Sequence, residues 1–294
     1  MTDAKTVTLT LLALVAFASN SLLTRLALGT HQIDAAGFTA IRLGAGAVML
    51  VALVVGQTRS WSTLKGSGAA GPLALFAYAA PFSFAYLRIG AAVGALVLFG
   101  VVQLTMIGYG IARGERPSAM MWLGLFLAAA GLALLTVPSV TRPDPLGVLL
   151  MAIAGVAWAV YTLVGRGTPD PLAANARSFL WSTPLAIALV VIVIATRGDA
   201  PPSGRGIALA LVSGAVTSGL GYAIWYRALP SLTVTQAAVA QLSVPVIAAF
   251  GAVAVLGEAI SSRLVVAGAM VLSGVGLVLS TRARQPRGDR NPRA

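Results

Sequence analysis

Ten apolar stretches, each long enough to cross a bilayer, fall into two groups of five, and the second group echoes the first. Val15-Ala16-Phe17-Ala18 aligns with Val156-Ala157-Trp158-Ala159, which brings Arg25 over Arg166. Further on, Phe84-Ala85-Tyr86-Leu87-Arg88 falls over Ala223-Ile224-Trp225-Tyr226-Arg227. Gly114-Glu115, with Gly124 and Gly131 after it, matches Gly257-Glu258 with Gly268 and Gly274. Five crossings is an odd number, so the second copy enters the membrane from the side opposite the first. The sequence therefore predicts an all-α polytopic membrane protein of ten transmembrane helices, built as two inverted five-helix repeats. Repeats of this kind mark alternating-access transporters, whose sites lie between the halves near the bilayer midplane.

Composition supports the membrane assignment. Of 294 residues, 58% are hydrophobic and only 10% charged, with a mean hydropathy of +0.90; a soluble domain carries roughly a quarter charged residues. The expected spans are 6–28, 34–56, 69–87, 91–112, 118–137, 147–166, 173–195, 205–227, 233–256 and 262–281. Each approaches the ~20 residues that cover a ~30 Å hydrocarbon core. The first run is longer than a signal-peptide core and lacks a cleavage-like stop, so it counts as span 1. Residues 1–141 form the first repeat, 142–281 the second, and 282–294 a basic, disordered tail. With no cysteine in the chain, disulfides, thiolate metal sites and cysteine nucleophiles are excluded.

The net charge of +12 resembles a nucleic-acid signal, but its placement speaks for membrane. Arg282, Arg284, Arg287, Arg290 and Arg293 crowd the tail, where they suit an anionic lipid surface. Most of the others sit at span ends. With the N-terminus inside, Lys5, Arg59, Lys65, Arg113, Arg116, Arg166, Arg227 and the tail are cytoplasmic. Arg25, Arg88, Arg142, Arg197, Arg205 and Arg263 face the other side. The positive-inside rule thus predicts both termini in the cytoplasm of a bacterial cell, with the chain in the inner membrane.

The acids are informative by their absence. Asp3, Asp34, Glu115, Asp144, Asp170, Asp199, Glu258 and Asp289 all lie outside the spans or at their edges, and the single histidine, His31, follows span 1. A proton-coupled antiporter normally carries an ionisable group in the membrane interior. None is visible, so coupling is expected to be absent. Arg42 and Arg177 are the deepest charges, at related places in the two repeats. The ordinary reading is that both snorkel to the interface; the other is a contact to a substrate carboxylate. No Ser-His-Asp set, His-rich metal set or paired acids are present, so no enzyme, metal or cofactor is expected.

Polar and aromatic residues inside the spans are few, and their positions suggest which spans line a path. Asn20 sits in the middle of span 1. Tyr78, Phe82 and Tyr86 recur at i, i+4 and i+8 in span 3, on one face, and Phe99, Gln103 and Met106 share a face of span 4. Span 6 offers Trp158 and Tyr161, span 8 Ser218 and Tyr222, span 9 Gln241 and Ser243. Spans 5 and 10 are nearly bare and read as lipid-facing or interface-forming. Gln103 and Gln241 are either interhelical hydrogen-bonding groups, each bond worth about 1 kcal/mol, or substrate contacts. Gln103 stands out because the second repeat has proline near there. Tyr86, Trp225 and Tyr226 fit an aromatic belt at the membrane surface; the deeper rings fit core packing or a cavity wall. Pro81 in span 3, Gly219 and Gly221 in span 8 and Pro245 in span 9 weaken backbone hydrogen bonding and are candidate hinges.

The stretch from Pro245 through Leu256-Gly257-Glu258 to Gly268 and Gly274 resembles the EamA domain of the drug/metabolite transporter superfamily. Arg42 and the helix-1 aromatic of each repeat, Phe17 and Trp158, are further matches. The resemblance covers nearly the whole chain as two such domains, although the first lacks the proline at Val102-Gln103. The run Phe99-x3-Gln103-Leu-Thr-Met-Ile is similar to that of the YddG-type aromatic amino acid exporters of bacterial inner membranes. That likeness implies a ten-helix bundle with a central cavity, exporting amino acids.

Together these readings give a monomeric exporter of neutral, largely aromatic or hydrophobic amino acids, embedded in lipid and running by alternating access without coupling. Asn20, Gln103 and Gln241 would meet the charged ends of the zwitterion while its side chain rests on Tyr78, Phe82, Phe99 or Trp158. The alternatives are efflux of drugs, organic cations or other metabolites, and a non-transporting membrane scaffold or receptor.

Overall fold

The computed structural model describes residues 4–66, 68–137, 144–197, 201–257 and 259–281. The proposed basic tail, together with Glu258, Asp3, Asp199 and Asp289, lies outside them. Every regular element among the described residues is helical. The order is α1 (Ala4–Leu28), α2 (Ala35–Thr58), α3 (Ala70–Ala112), α4 (Ala119–Thr136), α5 (Pro145–Arg166), α6 (Pro171–Arg197), α7 (Gly204–Val212), α8 (Gly221–Ala228), α9 (Val234–Ala240), α10 (Ser243–Leu256) and α11 (Ser262–Ser280). A π-helical segment, Ser213–Leu220, joins α7 to α8. Among the described residues, nine helical stretches, with α7–α8 and α9–α10 each counted as one, are long and apolar enough to cross a membrane.

The tenth crossing is folded into α3. Its 43 residues would extend about 65 Å as one straight helix, twice the hydrocarbon core. Gly90 breaks it with φ 67° and ψ −179°, a conformation that only glycine takes without strain. The two arms fold back together, since Phe82 before the break and Phe99 after it face the same cavity. Spans 3 and 4 of the sequence analysis are therefore the arms of one hairpin.

The acids at the span edges mostly cap helices. Asp34 Oδ1 accepts from Gly37 N at 2.8 Å, Asp144 Oδ1 from Leu146 N at 3.0 Å and Asp170 Oδ1 from Ala173 N at 3.0 Å. Ser118, Ser203 and Ser261 cap α4, α7 and α11 in the same way, and Thr233 with Gln236 forms a capping box on α9. Each cap satisfies N–H groups that a helix leaves open at its start. Inside the helices, Thr24, Thr39, Thr136 and Thr217 donate to the carbonyl four residues back, which gives each buried hydroxyl a partner on its own element.

Corresponding spans of the two halves pack on each other in opposite directions. A Cβ on Gly124 of α4 would lie 2.6 Å from the Gly274 carbonyl of α11, and one on Gly274 would lie 2.4 Å from the Gly124 carbonyl. Further along, Gly131 faces Ala267 and Val271. Gly46 of α2 lies against the Phe179 ring of α6 and Gly44 against Thr183, again antiparallel. Phe17 of α1 meets Trp158 of α5 edge-on, centroids 5.3 Å apart; these are the two residues that the repeat places over one another. Lipid gives helices no hydrophobic reason to associate, so close backbone approach at small residues has to supply the attraction.

One reading shifts and one is corrected at this level. The break expected at Pro245 of span 9 falls a turn earlier, at Gln241-Leu242, and Pro245 stands in the first turn of α10, where its missing N–H costs little. Trp225 and Tyr226 are not belt residues: at 0% and 1% exposure they lie inside the bundle, because their helix is covered by α1 and α6.

Replacement of Gly274 by Leu is expected to lower the thermal stability of the purified protein by about 1–3 kcal/mol of overpacking strain. The same change at Gly276, which has no neighbour within 4 Å, should leave the melting temperature unchanged in a detergent thermal-shift measurement.

Candidate functional site

A cavity of about 30 Å³ lies between the two halves, lined by Phe17, Asn20, Ser21, Tyr78, Phe82, Leu98, Phe99, Trp158, Tyr222, Gln241 and Val244. Its walls come from α1, both arms of α3, α5, α8 and the α9–α10 break. Phe17, Tyr78, Phe82, Trp158 and Tyr222 form one continuous cluster of rings. Trp158 lies 4.8 Å from Tyr78 and 4.9 Å from Tyr222 between centroids, and Phe17 touches both Trp158 and Tyr222 edge-on. Edge-to-face packing matches ring edges to ring faces and fixes the cavity shape.

Of the expected site residues, Asn20, Tyr78, Phe82, Phe99, Trp158, Tyr222 and Gln241 line this cavity. Gln241 stands where the helix is interrupted. Its carbonyl oxygen accepts from Trp158 Nε1, and its nitrogen donates to the Ala237 carbonyl at 3.0 Å and reaches Met106 Sδ at 3.6 Å. Asn20 Oδ1 accepts from Ser213 Oγ at 2.7 Å, tying α1 to the π segment.

The other four stand one layer back. Tyr161 is fully buried and donates to Asn175 Oδ1 at 2.6 Å. Ser243 Oγ donates back across the break to the Ala240 carbonyl of α9 at 2.7 Å. Gln103 donates through Nε2 to the Ala238 carbonyl of α9 at 2.7 Å, while its Oε1 is buried without a partner. It is absent from the cavity wall, so in this conformation Gln103 serves the contact between α3 and α9. Ser218 lies on the π segment and accepts from Arg42 Nε at 2.9 Å.

Arg42 overturns the snorkelling expectation. It is 1% exposed, and its guanidinium points into the bundle instead of toward the interface. Nη2 donates to Tyr222 Oη at 2.6 Å and to Tyr78 Oη at 3.4 Å, and Cζ lies 5.4 Å from the Tyr78 ring centre. The local fold explains how this is possible. Gly214 packs directly on the Arg42 carbonyl, at 2.2 Å from where a Cβ would be. The Gly221 N–H reaches back five residues to the Val216 carbonyl. That wider turn swings Ser218 onto the guanidinium; π turns of this kind recur at functional sites. Gly219, inside this wider turn, and Gly221, which closes it, are the two positions expected as hinges. Arg177, by contrast, keeps to its expected surface place and donates to the Thr63 carbonyl at 2.9 Å.

Phe17 and Asn175 escaped the sequence reading of the site. Phe17 could have been found as the repeat mate of Trp158. Asn175 could not, because a polar residue in the first turns of a span reads as an interface group.

The cavity widens toward the end of the bundle that carries the C-terminus of α1 and the Gly90 bend of α3. A vestibule of about 190 Å³ shares Ser21, Phe82, Leu98 and Phe99 with it and runs out past Tyr86, Arg25, Met151 and Pro245. Near its mouth Arg88 pairs with Asp144 at 2.6 Å, and this bond, with the backbone N–H of Leu146, holds the Asp144 carboxyl below its usual range. At the opposite end, side chains bond across between helices. Glu115 accepts from Val234 N, Thr235 N and Thr235 Oγ1 at 2.7, 3.1 and 2.9 Å. Arg166 donates twice to the Leu232 carbonyl, and Tyr226 Oη to the Tyr161 carbonyl. A carboxylate at the start of a helix answers both open N–H groups and the dipole.

Residues 145–280 match the model of the EamA-like transporter family. An uncharacterized protein of Pseudomonas aeruginosa is 48% identical over 96% of this chain and 97% of its own length. An uncharacterized transporter of Archaeoglobus fulgidus is 25% identical over 81% of this chain and 86% of its own. One from Bacillus subtilis is 28% identical over 67% of each. A crystal structure at 20% identity superposes with a TM-score of 0.77 over 92% of this chain and 96% of that one, which shows a shared fold. This chain is a multi-pass membrane protein whose second half is similar to the EamA-like transporter family.

Proposed function

We propose that the protein exports neutral, largely aromatic or hydrophobic amino acids across the bacterial inner membrane. The single observation that carries this reading is the cavity wall: a cage of aromatic rings interrupted by two neutral amides, Asn20 and Gln241, with no carboxylate among its lining residues. Amides can meet either end of a zwitterion, and the rings offer an apolar surface for its side chain. The likeness to YddG-type exporters supports the direction and the substrate class. Residues 1–141 and 142–281 are taken as the two halves, with both termini cytoplasmic and the protein acting as a monomer. In that orientation the vestibule opens away from the cytoplasm, the state from which an exported solute is released.

A cavity that widens toward one end, with Glu115, Arg166 and Tyr226 bonding across the other, supports transport by alternating access. The halves would rock about the π segment, Pro81 and the break before Pro245. No Asp, Glu or His lies in the described spans, which supports a facilitator running down the substrate gradient.

Reconstituted liposomes are expected to take up labelled phenylalanine or methionine faster than protein-free ones. A pH step or a potassium–valinomycin potential should raise neither above equilibrium. Uptake no faster than the protein-free control would contradict the substrate assignment, and accumulation under a proton gradient alone would contradict the uncoupled mechanism.

The two glutamines should separate. Gln241→Leu takes a polar contact from the cavity wall, and loss of one substrate hydrogen bond of ~1.4 kcal/mol should slow phenylalanine transport about tenfold. Gln103→Leu removes the bond to α9, worth ~1 kcal/mol, and should lower the melting temperature with a smaller effect on substrate selection. Initial rates measured beside thermal stability check both.

A further inference from the structure

We propose that Arg42 is the anion-binding end of the central site, so that the solutes this protein carries bear a carboxylate. The inference rests on the amino acid reading for the place of the site and adds the group by which the solute is chosen. Arginine keeps its proton in proteins, so a full positive charge stands in α2 at 1% exposure. Among the described residues no carboxylate lies within ion-pair distance of it. Its partners, Ser218, Tyr222 and Tyr78, are all neutral hydroxyls, and Nη1 is buried with no partner. An uncompensated charge at membrane depth is costly to keep and is a functional group by default.

The charge connects to the cavity through two phenols. Tyr78 and Tyr222 both line the cavity, and each accepts from Arg42 Nη2. An oxygen that accepts in this way keeps its own hydrogen to donate, and a cation behind it strengthens that donation. Two such hydroxyls suit the two oxygens of one carboxylate, with Nη1 a further charged donor behind them. One guanidinium is neutralised by one negative charge, which favours a carboxylate over a doubly charged phosphate. The amine of the same solute is left to Asn20 and Gln241.

The test is calorimetric binding to the purified full chain in detergent with four probes that share a phenyl ring. Phenylalanine and 3-phenylpropionate carry a carboxylate; phenethylamine and phenylalaninamide do not. The wild type is expected to bind the first two and to bind the last two at least about tenfold more weakly, the scale of one lost charge-assisted bond. Arg42→Gln should abolish that preference. Should that variant fail to fold, Tyr222→Phe keeps the ring and the arginine, and is expected to weaken the carboxylates several-fold while leaving phenethylamine unchanged. Binding of 3-phenylpropionate without phenylalanine would uphold the anion site and overturn the amino acid reading. Phenethylamine bound as tightly as phenylalanine, neither carboxylate bound, or the full preference retained in a folded variant would overturn the proposal.

Discussion

Inside hydrocarbon a chain must satisfy its polar groups from within, and that constraint shapes every unusual feature of this bundle. Serines, threonines and aspartates cap helices or bond back one turn, so the helices themselves leave little open. Where the helices break, side chains take over: Gln241 bonds its own helix beside the α9–α10 interruption, and Asn20 and Arg42 bond the π segment. Thr10 Oγ1, Arg42 Nη1, Gln103 Oε1, Thr162 Oγ1 and Trp225 Nε1 stay buried and unpartnered among the described residues. Arg42 differs from the others because it is charged and adjoins the cavity wall.

The same constraint explains how the halves meet. With no hydrophobic gain from helix association in lipid, contacts concentrate where backbones can come close. Gly124 and Gly274 pack carbonyl to Cα across the pair α4 and α11, and Gly46 takes the Phe179 ring across α2 and α6. The central walls meet instead through rings, with Trp158 in contact with Phe17, Tyr78 and Tyr222. Dense contacts at the periphery and a small void at the centre leave room for the halves to tilt. Under the proposed alternating access, the bonds of Glu115 to the start of α9 are the ones that must break for that end to open.

Much of this was legible in the residues. Apolar length gave the crossings, the internal echo paired Phe17 with Trp158, and the scarcity of mid-span polar groups pointed to most of the cavity wall. What escaped depended on tertiary geometry. Arg42 lies about two turns into its span, a depth from which a long side chain can reach either the interface or the core. Only the Gly214 approach and the π turn decide for the core. Gln103 and Gln241 looked equivalent by depth, yet one faces α9 and the other the cavity, since the hairpin at Gly90 and the break at Gln241 set the rotation of each helix. Trp225 and Tyr226 looked like belt residues because belt and buried aromatics share the same spacing from a span end.

Alternating access is the central claim, and counterflow tests it most directly. Liposomes containing the protein, loaded with unlabelled phenylalanine and diluted into a trace of labelled phenylalanine with no ion gradient, should take up label to a transient overshoot above equilibrium. The overshoot arises because each carrier returns loaded, so exchange outpaces net loss. Label that enters at the protein-free rate, or enters without any response to the internal load, would contradict the account.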